Sequence, residues 1–383
     1  MSVHQLAGTH SRGTYDAVVI GGGLVGASIA YGLRKGGARV AVLDEGDVAY
    51  RASRGNAGLV WLQGKGLGLG PYANWTRLST QLWPSLAALL QEDTGVDVHL
   101  EQPGGLHPTF SDEEFDARQD DMRRLMQQAE VVPYEWKMLD RKEVEDLVPG
   151  VGSELRGASW TPFDGTANPL KLLRAYHLFF EKGGVDYLPE HAAQSIRRGG
   201  EGYDIATSQG VIHGMRVVLA AGLGNRALAA QVGLEVPVRP QRGQVIVLEK
   251  TRRILPMPFT TLRQMDEGSW IIGDAHQEMG YADALTETAV LATLADRAVK
   301  LLPALAGVRA VRSWAALRVM SQDGFPIYEQ SQRCPGVYVA TCHSGVTLAA
   351  VHALRFAKMV MAGELPQDML PFSTRRFDVQ ETA

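Results

Sequence analysis

A glycine turn between an apolar strand and a helix constrains the fold of this chain more than any other feature. Residues 16–20 (DAVVI) predict a short buried strand, and residues 24–35 have helical spacing before two glycines end the pattern. A second strand is predicted over residues 39–43, and Asp44 follows it directly. This order of strand, helix and strand predicts a βαβ unit with parallel strands.

The turn itself carries a GxGxxG pattern made by Gly21, Gly23 and Gly26. The first glycine allows the tight turn, the second lets backbone amides approach a pyrophosphate, and the third lets the helix pack on the strand. Asp44 can accept hydrogen bonds from both ribose hydroxyls, which argues against a ribose 2′-phosphate. The pattern predicts a bound dinucleotide but does not separate FAD from NAD. The expected contacts are Gly21, Gly23, Leu24, Val25, Gly26, Asp44 and Glu45.

Size, charge and cysteine content limit the possible partners. The 383 residues, 45% of them hydrophobic, can bury a large core in about two or three domains. The formal net charge of −4, with Lys and Arg scattered, gives no basic surface for a nucleic acid. Cys334 and Cys342 cannot supply the four thiolates of an iron–sulfur cluster, so we interpret them as buried small residues in a reducing compartment.

The N-terminal region does not predict a membrane protein. Residues 1–14 are polar and lack the apolar core of a secretion signal. Residues 15–33 are almost wholly apolar, but Asp16 and the run of glycines fit a strand, turn and helix better than a membrane span. We therefore expect a cytoplasmic protein without a transmembrane segment.

Downstream elements alternate and indicate an α/β fold of the mixed α+β kind. A capping box at Ser111–Glu114 predicts a helix toward Ala129, and Asn168 with Pro169 predicts one through Glu181. Residues 216–221 predict a second buried strand, with a glycine turn and a helix to Val232 after it. A last helix is predicted over residues 347–362.

Residues 52–58 (ASRGNAG) form a second small and polar stretch just after the βαβ unit. An NAD enzyme needs nothing of the kind there, whereas a dinucleotide with a bulky isoalloxazine would use it. The stretch resembles the S-x-x-N-A-G segment of the glycine oxidase and D-amino acid oxidase superfamily, which lines the FAD pyrophosphate and the flavin edge. The alternative is a surface loop of small residues. By this resemblance, FAD should contact Ser53, Arg54, Asn56, Ala57 and Gly58.

Further segments are similar to motifs of the same superfamily and occur in the same order. Together they make the match specific and extend it over most of the chain. They are PGGL at 103–106, DGTANP at 164–169, VLAAG at 218–222, PVRPQRGQ at 237–244, WAALR at 314–318 and DGFP at 323–326.

The resemblance implies a Rossmann-like FAD-binding domain of the glutathione-reductase type and a second domain for substrate. The FAD-binding domain would be discontinuous, built from residues 14–70, 150–230 and 315–370. The substrate domain would combine residues 71–149 and 231–314 on a mixed or antiparallel sheet.

The resemblance also implies further FAD contacts. The backbone near Ala193 would contact the adenine, although the superfamily favours valine there. Residues 341–347 (TCHSGVT) are similar to a G-H-x-x-x-G segment whose amides meet the flavin C2 carbonyl, with Cys342 in place of the first glycine. A helix that starts there directs its positive end at the charge of the reduced flavin. These contacts are Ala193, Ala221, Gly222, Gly345, Val346 and Thr347.

Three residues are candidates for the substrate by the same resemblance. Arg318 can hold a carboxylate through two hydrogen bonds, with a surface turn as the alternative. His343 either organises its loop or contacts substrate or flavin. Residues 259–263 lack the tyrosine that amino-acid oxidases often supply, so Tyr281 is either its replacement or a packing residue.

Residues 54–70, with WLQGKG at 61–66, look most like the FAD-bearing subunits of heteromeric opine oxidases of the octopine and nopaline type. They resemble D-hydroxyproline dehydrogenase subunits more loosely. Opines are secondary amines flanked by two carboxylates. Lys65, Arg54 or Arg263 could therefore bind the second acid, and a solvated loop lysine is the alternative for Lys65.

The predicted reaction is hydride transfer from an amino-acid-like amine to flavin N5, followed by hydrolysis of the imine, with no metal and no covalent nucleophile. A D-amino acid or D-proline dehydrogenase or oxidase is one alternative, and a flavin electron-relay subunit is another. We expect the electrons to pass to partner subunits, a larger flavin subunit and a small iron–sulfur subunit. The alternative acceptor is oxygen, assisted by the charge of Lys65.

Overall fold

The structure is a computed structural model that describes residues 14–46, 51–273, 275–278 and 285–382. Strands and helices alternate along these ranges. The strands are β1 Ala17–Ile20, β2 Val40–Leu43, β3 Leu59–Val60, β4 Gly105–Thr109, β5 Lys137–Asp140, β6 Gly157–Thr161, β7 Gly165–Thr166, β8 Asp186–Leu188, β9 Ala193–Gly199, β10 Gly202–Thr207, β11 Gly210–Gly214, β12 Val217–Leu219, β13 Val238–Leu248, β14 Leu262–Gln264, β15 Trp270–Ile272, β16 Gln277–Glu278, β17 Ala310–Ser321, β18 Ile327–Gln330 and β19 Val337–Thr341. The helices are α1 Leu24–Lys35, α2 Arg51–Arg54, α3 Gly70–Thr94, α4 Asp112–Gln127, α5 Arg141–Leu147, α6 Pro169–Gly183, α7 Asn225–Gln231, α8 Thr288–Leu301, α9 Ala349–Val351 and α10 Ala357–Ala362.

A six-stranded sheet with the order β18-β19-β12-β1-β2-β8 forms the centre of the molecule. All of its pairings are parallel except β18 with β19 at the edge. Val18 of β1 pairs with Ala41 on one side and Val217 on the other, and every residue of β1 and β2 is buried. Parallel strands buried on both faces read as continuous apolar runs. The predicted βαβ unit is confirmed.

Two apolar layers cover this sheet because alternate side chains of β1 point to opposite faces. On one face Val19 packs with α1, α3, α6 and the C-terminal helical segment. On the other face Val18 packs with residues of β9, β10 and α7. The predicted helix over 347–362 forms as α9, a π-helical turn over His352–Phe356, and α10.

Helix α1 and the C-terminal helix lie in direct backbone contact. A Cβ on Gly32 would collide with the carbonyl oxygen of Ala353 and would come within 2.6 Å of Ala357 Cβ. Glycine at this position lets the two helices approach to a distance that no side chain would allow. The N-terminal and C-terminal parts of the described chain therefore share one core.

The remaining sheets are antiparallel, and two of them form a second region. β14, β15, β13 and β16 pair in that order, and β17 pairs with β13 along eleven residue pairs. A three-stranded sheet has the order β4-β6-β5, and α8 packs with both sheets in one core. Together with the central sheet they make the mixed α/β fold that the sequence predicts.

Packing bears on the proposed domain segments, which stay a proposal. Helix α3 lies within residues 71–149, but it packs in the core of the central sheet beside α1 and α6. Strand β6 lies within residues 150–230, but it pairs with β4 and β5. These contacts favour placing α3 with the FAD-binding segments and β6 with the substrate segments.

Both predicted N-terminal caps form, one of them with a correction. Asn168 Oδ1 accepts hydrogen bonds from the backbone of Leu170 and Lys171, so it caps α6 as predicted. Ser111 Oγ accepts from Glu114 N at 3.1 Å, but the Glu114 carboxylate accepts from Phe110 N. The capping box predicted at Ser111 is therefore wrong in one respect, because Glu114 accepts from Phe110 N and not from Ser111 N. None of the helices in the described ranges combines the length and hydropathy that a bilayer crossing requires.

Candidate active site

The glycine turn at the end of β1 requires glycine at two positions. Gly21 has a φ of +110°, and a Cβ on it would collide with the carbonyl oxygen of Ala220. A Cβ on Gly26 would collide with the carbonyl oxygen of Gly21, so glycine there lets α1 lie directly on the turn. The spacing of the pattern is thus set by backbone contacts.

Asp44 lies against this turn at the end of β2. Its carboxylate accepts hydrogen bonds from Gly22 N at 2.6 Å and from Gly46 N at 3.1 Å. The side chain is only partly buried, and Glu45 beside it is exposed. His191, two residues before Ala193, donates its backbone N–H to the backbone carbonyl of Asp44 at 2.8 Å.

Two later segments meet the start of α1. Ser53 Oγ accepts a hydrogen bond from Leu24 N at 2.9 Å, so the second glycine-containing segment lies on the helix N-terminus. Gly345 packs on the same turn, since a Cβ on it would lie 3.5 Å from Leu24 Cβ and 3.7 Å from Val25 Cγ2. Thr347 Oγ1 accepts from Trp61 N at 3.2 Å. The structure brings the three predicted FAD-contact segments together.

The strand β12 supplies the neighbouring edge. Ala221 N donates to Asn225 Oδ1 at 2.8 Å, and Gly222 follows with a φ of +58°. In the second segment, Asn56 Oδ1 accepts from Gly58 N at 2.6 Å and closes a tight turn with Gly58 at a φ of +82°. Ala57 packs against Val245, Met265 and Ile271 of the antiparallel region.

A cavity of about 410 Å³ lies where these segments face the antiparallel sheets. Lys65, Arg318 and His343 line it together, and so do Asn56 and Thr347 from the cofactor segments. Arg54 is not among the lining residues, and Tyr281 lies outside the described residues. The lining residues within the described chain include no aspartate or glutamate, so the cavity is electropositive.

Arg318 lies on β17 and reaches across β13. Its guanidinium covers Gly243, where a Cβ would lie 2.8 Å from Arg318 Cζ. Arg318 Nη1 donates to the Ala275 carbonyl at 2.5 Å and lies 3.4 Å from His276 Nδ1. A residue without a side chain at 243 therefore lets the guanidinium lie flat beside the cavity.

Lys65 and His343 are in direct contact. Lys65 Nζ donates to His343 Nε2 at 3.1 Å and lies 3.3 Å from Ser344 Oγ. Burial holds the pKa of His343 well below its ordinary value, and the charges of Lys65 and Arg318 lower it further. The imidazole is thus neutral, with the Nδ1 tautomer assigned from the contact with Lys65. This geometry favours a loop-organising role for His343.

Behind the cavity lies a polar network that sequence reasoning missed. Asp164 is fully buried and accepts from Leu62 N at 2.5 Å and from Gln63 Nε2 at 2.7 Å. Gln63 Oε1 in turn accepts from Ser159 Oγ at 2.5 Å and from Arg118 Nη2 at 3.0 Å. Burial raises the pKa of Asp164 to about 7. The network fixes the loop that carries Lys65.

One sequence feature indicates that Arg118 points toward the interior. It lies four and seven residues before Met122 and Leu125, the two buried residues of α4, so it occupies the inward face of a charged helix. Charged residues on that face are seldom buried without a partner.

Arg263 does not lie in the cavity, which corrects its candidacy for the second acid. It is 4% exposed, and Nη1 donates to the carbonyls of Gly58 at 2.6 Å and Ala167 at 3.1 Å. Burial lowers the pKa of its guanidinium to about 10. Arg263 therefore fastens the turn at Gly58.

The residues of the turn fit an FAD molecule. Gly23 gives α1 no side-chain cap and Ser53 Oγ accepts from Leu24 N, so the following amides of the first turn are placed to meet a pyrophosphate. A Cβ on Gly23 would lie 2.8 Å from Ser53 Oγ and would fill that approach. Asp44 supplies the acceptor for the ribose, and the segment at Gly345 covers the same end of the helix.

The chain belongs to the DAO family of FAD dependent oxidoreductases, whose family model matches residues 16–359. It is therefore an FAD-dependent oxidoreductase, and FAD is its cofactor. It is 42% identical to a subunit of the opine oxidase of Agrobacterium tumefaciens, across 96% of this chain and 98% of that relative. It is 29% identical to the hydrogen cyanide synthase subunit HcnC of Pseudomonas aeruginosa, across 97% and 98%.

Among solved structures, glycine oxidase from Geobacillus kaustophilus superimposes with a TM-score of 0.85 at 26% identity. The match covers 94% of this chain and 98% of that one. These similarities confirm the predicted family, fold class and cofactor.

Proposed function

We propose that the chain oxidises the C–N bond of an amino acid or an N-substituted amino acid, with an opine-like secondary amine as the preferred substrate. The observation that carries the proposal is the cavity that joins Arg318 and Lys65 to Asn56 and Thr347. It would give a carboxylate site beside the segments expected to hold the flavin. The 42% identity to a relative named as part of an opine oxidase supports the substrate class.

Arg318 would bind the substrate carboxylate. A guanidinium offers two parallel donors that match the two oxygens of a carboxylate. Its position over Gly243 and its bond to the Ala275 carbonyl hold its plane in place before substrate arrives. A fixed carboxylate orients the α-carbon for hydride transfer, which lowers the barrier by removing freedom of rotation.

The charge of the cavity would favour the neutral amine. Lys65, Arg118 and Arg318 line it, and the described lining includes no acid. Nearby positive charge lowers the pKa of a bound ammonium group, so the amine loses its proton more readily. FAD, when bound, supplies the hydride acceptor. The neutral amine can release its α-hydrogen as hydride, and the imine then hydrolyses to an oxo acid and an amine.

Lys65 and His343 would act mainly on the cofactor side. Their contact fixes the loop before Gly345, and Tyr72 extends it through Ser344 Oγ at 3.1 Å. The Lys65 ammonium adds positive charge where the reduced cofactor would carry negative charge.

The electrons would then pass to a partner subunit. Both relatives are named as subunits, the first of opine oxidase and the second, HcnC, of hydrogen cyanide synthase. The sequence contains only two cysteines, too few for a cluster that could relay electrons. We propose a larger flavin subunit and a small iron–sulfur subunit as the partners.

The substrate is tested by anaerobic bleaching of the flavin in the purified holoprotein. Octopine and nopaline should bleach it faster than D-alanine and D-proline. Bleaching by the D-amino acids alone would show that the substrate is a primary amine or D-proline. If no amine bleached the flavin, the chain would instead act as an electron-relay subunit.

The acceptor is tested by steady-state turnover of the isolated chain, first with oxygen and then with an artificial dye. Turnover with the dye alone supports the heteromer. Fast peroxide production without a partner would reject it.

A further inference from the structure

Arg118 is a partly buried cation to which the proposed reaction assigns no bound group. Its Nε donates to Ser159 Oγ at 2.8 Å, and its Nη2 donates to Gln63 Oε1 at 3.0 Å. Both acceptors are neutral, and Gln63 stands between Arg118 and the carboxylate of Asp164. Within the described chain, no ion pair joins Arg118 to an acid.

The remaining nitrogen of this guanidinium lies beside Gly64 at the wall of the cavity. Arg118 Nη1 has no hydrogen-bond partner among the described residues. A Cβ on Gly64 would lie 2.8 Å from it, and both residues line the cavity. The side chain is therefore held by two of its nitrogens and presents the third to a bound molecule.

Electrostatics favour an anion at this point. Burial lowers the pKa of the Arg118 guanidinium, and the nearby acids Asp164 and Asp121 offset only part of that shift. A desolvated cation with no acid bonded to it directly is costly, and a carboxylate that bonds to it would remove much of that cost. His107, which pairs with Ser159 across β4 and β6, lines the same cavity.

We propose that Arg118 binds a second carboxylate of the substrate through Nη1. The proposal rests on the proposed function, in which Arg318 binds the carboxylate beside the oxidised C–N bond. Arg118 comes from α4 and is held against β6, whereas Arg318 comes from β17, so the two cations approach the cavity from separate elements. The pair selects a diacid over a monoacid of the same length.

Inert ligands test the subsite without any turnover. Malonate, succinate, glutarate and adipate are titrated into the oxidised holoprotein, and the change in the flavin absorption spectrum gives each dissociation constant. Each diacid is compared with the monocarboxylate of the same number of carbons. At least one diacid should bind more than about tenfold tighter than its partner, since a hydrogen bond to a charged group contributes on this scale.

The Arg118→Met variant should lose this preference while its affinity for monocarboxylates stays within about twofold, because Arg318 is intact. Arg118→Lys keeps the charge without the fork and should retain part of the preference. Arg124→Met is the matched control, because Arg124 lies exposed on the same helix and pairs only with Asp121 in the described contacts. FAD content and melting temperature show that each variant has folded.

A wild type that binds every diacid no tighter than its monocarboxylate overturns the subsite, and so does an unchanged preference in both Arg118 variants. Failure of the proposed function is a separate result. In that case no amine bleaches the flavin, yet the diacid preference and its dependence on Arg118 persist.

Discussion

The proposed cofactor cradle and the cationic side chains of the proposed substrate cavity come from different parts of the chain. The cradle, which comprises residues 21–26, 44, 53–58 and 345–347, uses backbone groups and closely packed glycines. The cavity uses long side chains, Lys65, Arg118 and Arg318, that come from a loop, a helix and a strand. A site formed by backbone groups can be recognised from short local sequence motifs. A site made of distant side chains exists only once the sheets have assembled.

Replacing Gly23 with valine should have the largest effect, and that effect should fall on the cradle. The new side chain would collide with Ser53 Oγ and fill the approach of the pyrophosphate, so the variant should retain no FAD after purification. Absorbance of the purified protein and nucleotide analysis of the denatured extract measure this. Gly307→Ala is the control, since a Cβ there meets no atom within 4 Å. A yellow Gly23→Val protein would contradict the role of the turn.

Asp164→Asn tests whether the cavity wall depends on ionisation. The pKa of Asp164 is raised to about 7 in the fold, so the folded state binds more protons than the unfolded state between about pH 4 and pH 7. The free energy of unfolding of the wild type should therefore fall relative to the variant as pH rises through this window, by at most about 4 kcal/mol.

Urea unfolding of both proteins at pH 5 and pH 8 measures this difference. Comparing the two proteins at each pH removes the titration of all other groups. Asp146→Asn, at an exposed position, is the control. An Asp164→Asn difference that is the same at both pH values would show that the buried carboxyl keeps an ordinary pKa.

Arg318→Lys should impair the cavity and spare the cradle. Lysine retains the charge but loses the second donor, so kcat/KM for the true substrate should fall at least about tenfold, or roughly 1.4 kcal/mol. FAD content should not change. Arg312→Lys, exposed on the same strand, is the control. Unchanged kinetics in Arg318→Lys would remove Arg318 from the substrate site.

Ser53→Ala should have the smallest effect, on the cradle alone. It removes the acceptor of Leu24 N, a loss of about 1 kcal/mol that corresponds to about fivefold weaker FAD binding. Ser111→Ala removes a comparable cap from α4 and should lower stability without changing the affinity for FAD. Equal effects of the two variants on FAD affinity would show that the Ser53 cap has no specific part in the cradle.

The cradle could be predicted from sequence because its requirements are local. Gly21 and Gly26 belong to one six-residue motif, and Asp44 follows the next strand directly. Arg318 was found through a motif that carries it. Arg118 was not, since an arginine in a helix rich in charge looks like a solvated residue until the fold turns that face inward. Arg263 was misassigned because nothing in the sequence shows that two backbone carbonyls take its donors.

The close contact of Gly32 with Ala353 has a consequence for the order of events during synthesis. Helix α1 leaves the ribosome early, but the helix that covers its glycine face is made among the last elements of the described chain. Contacts between such distant segments form slowly, and apolar surface stays uncovered until they do. Until the C-terminal helix is made, the nascent βαβ unit therefore exposes an apolar face that chaperones would bind. Flavin binding is therefore expected only after translation has passed residue 357.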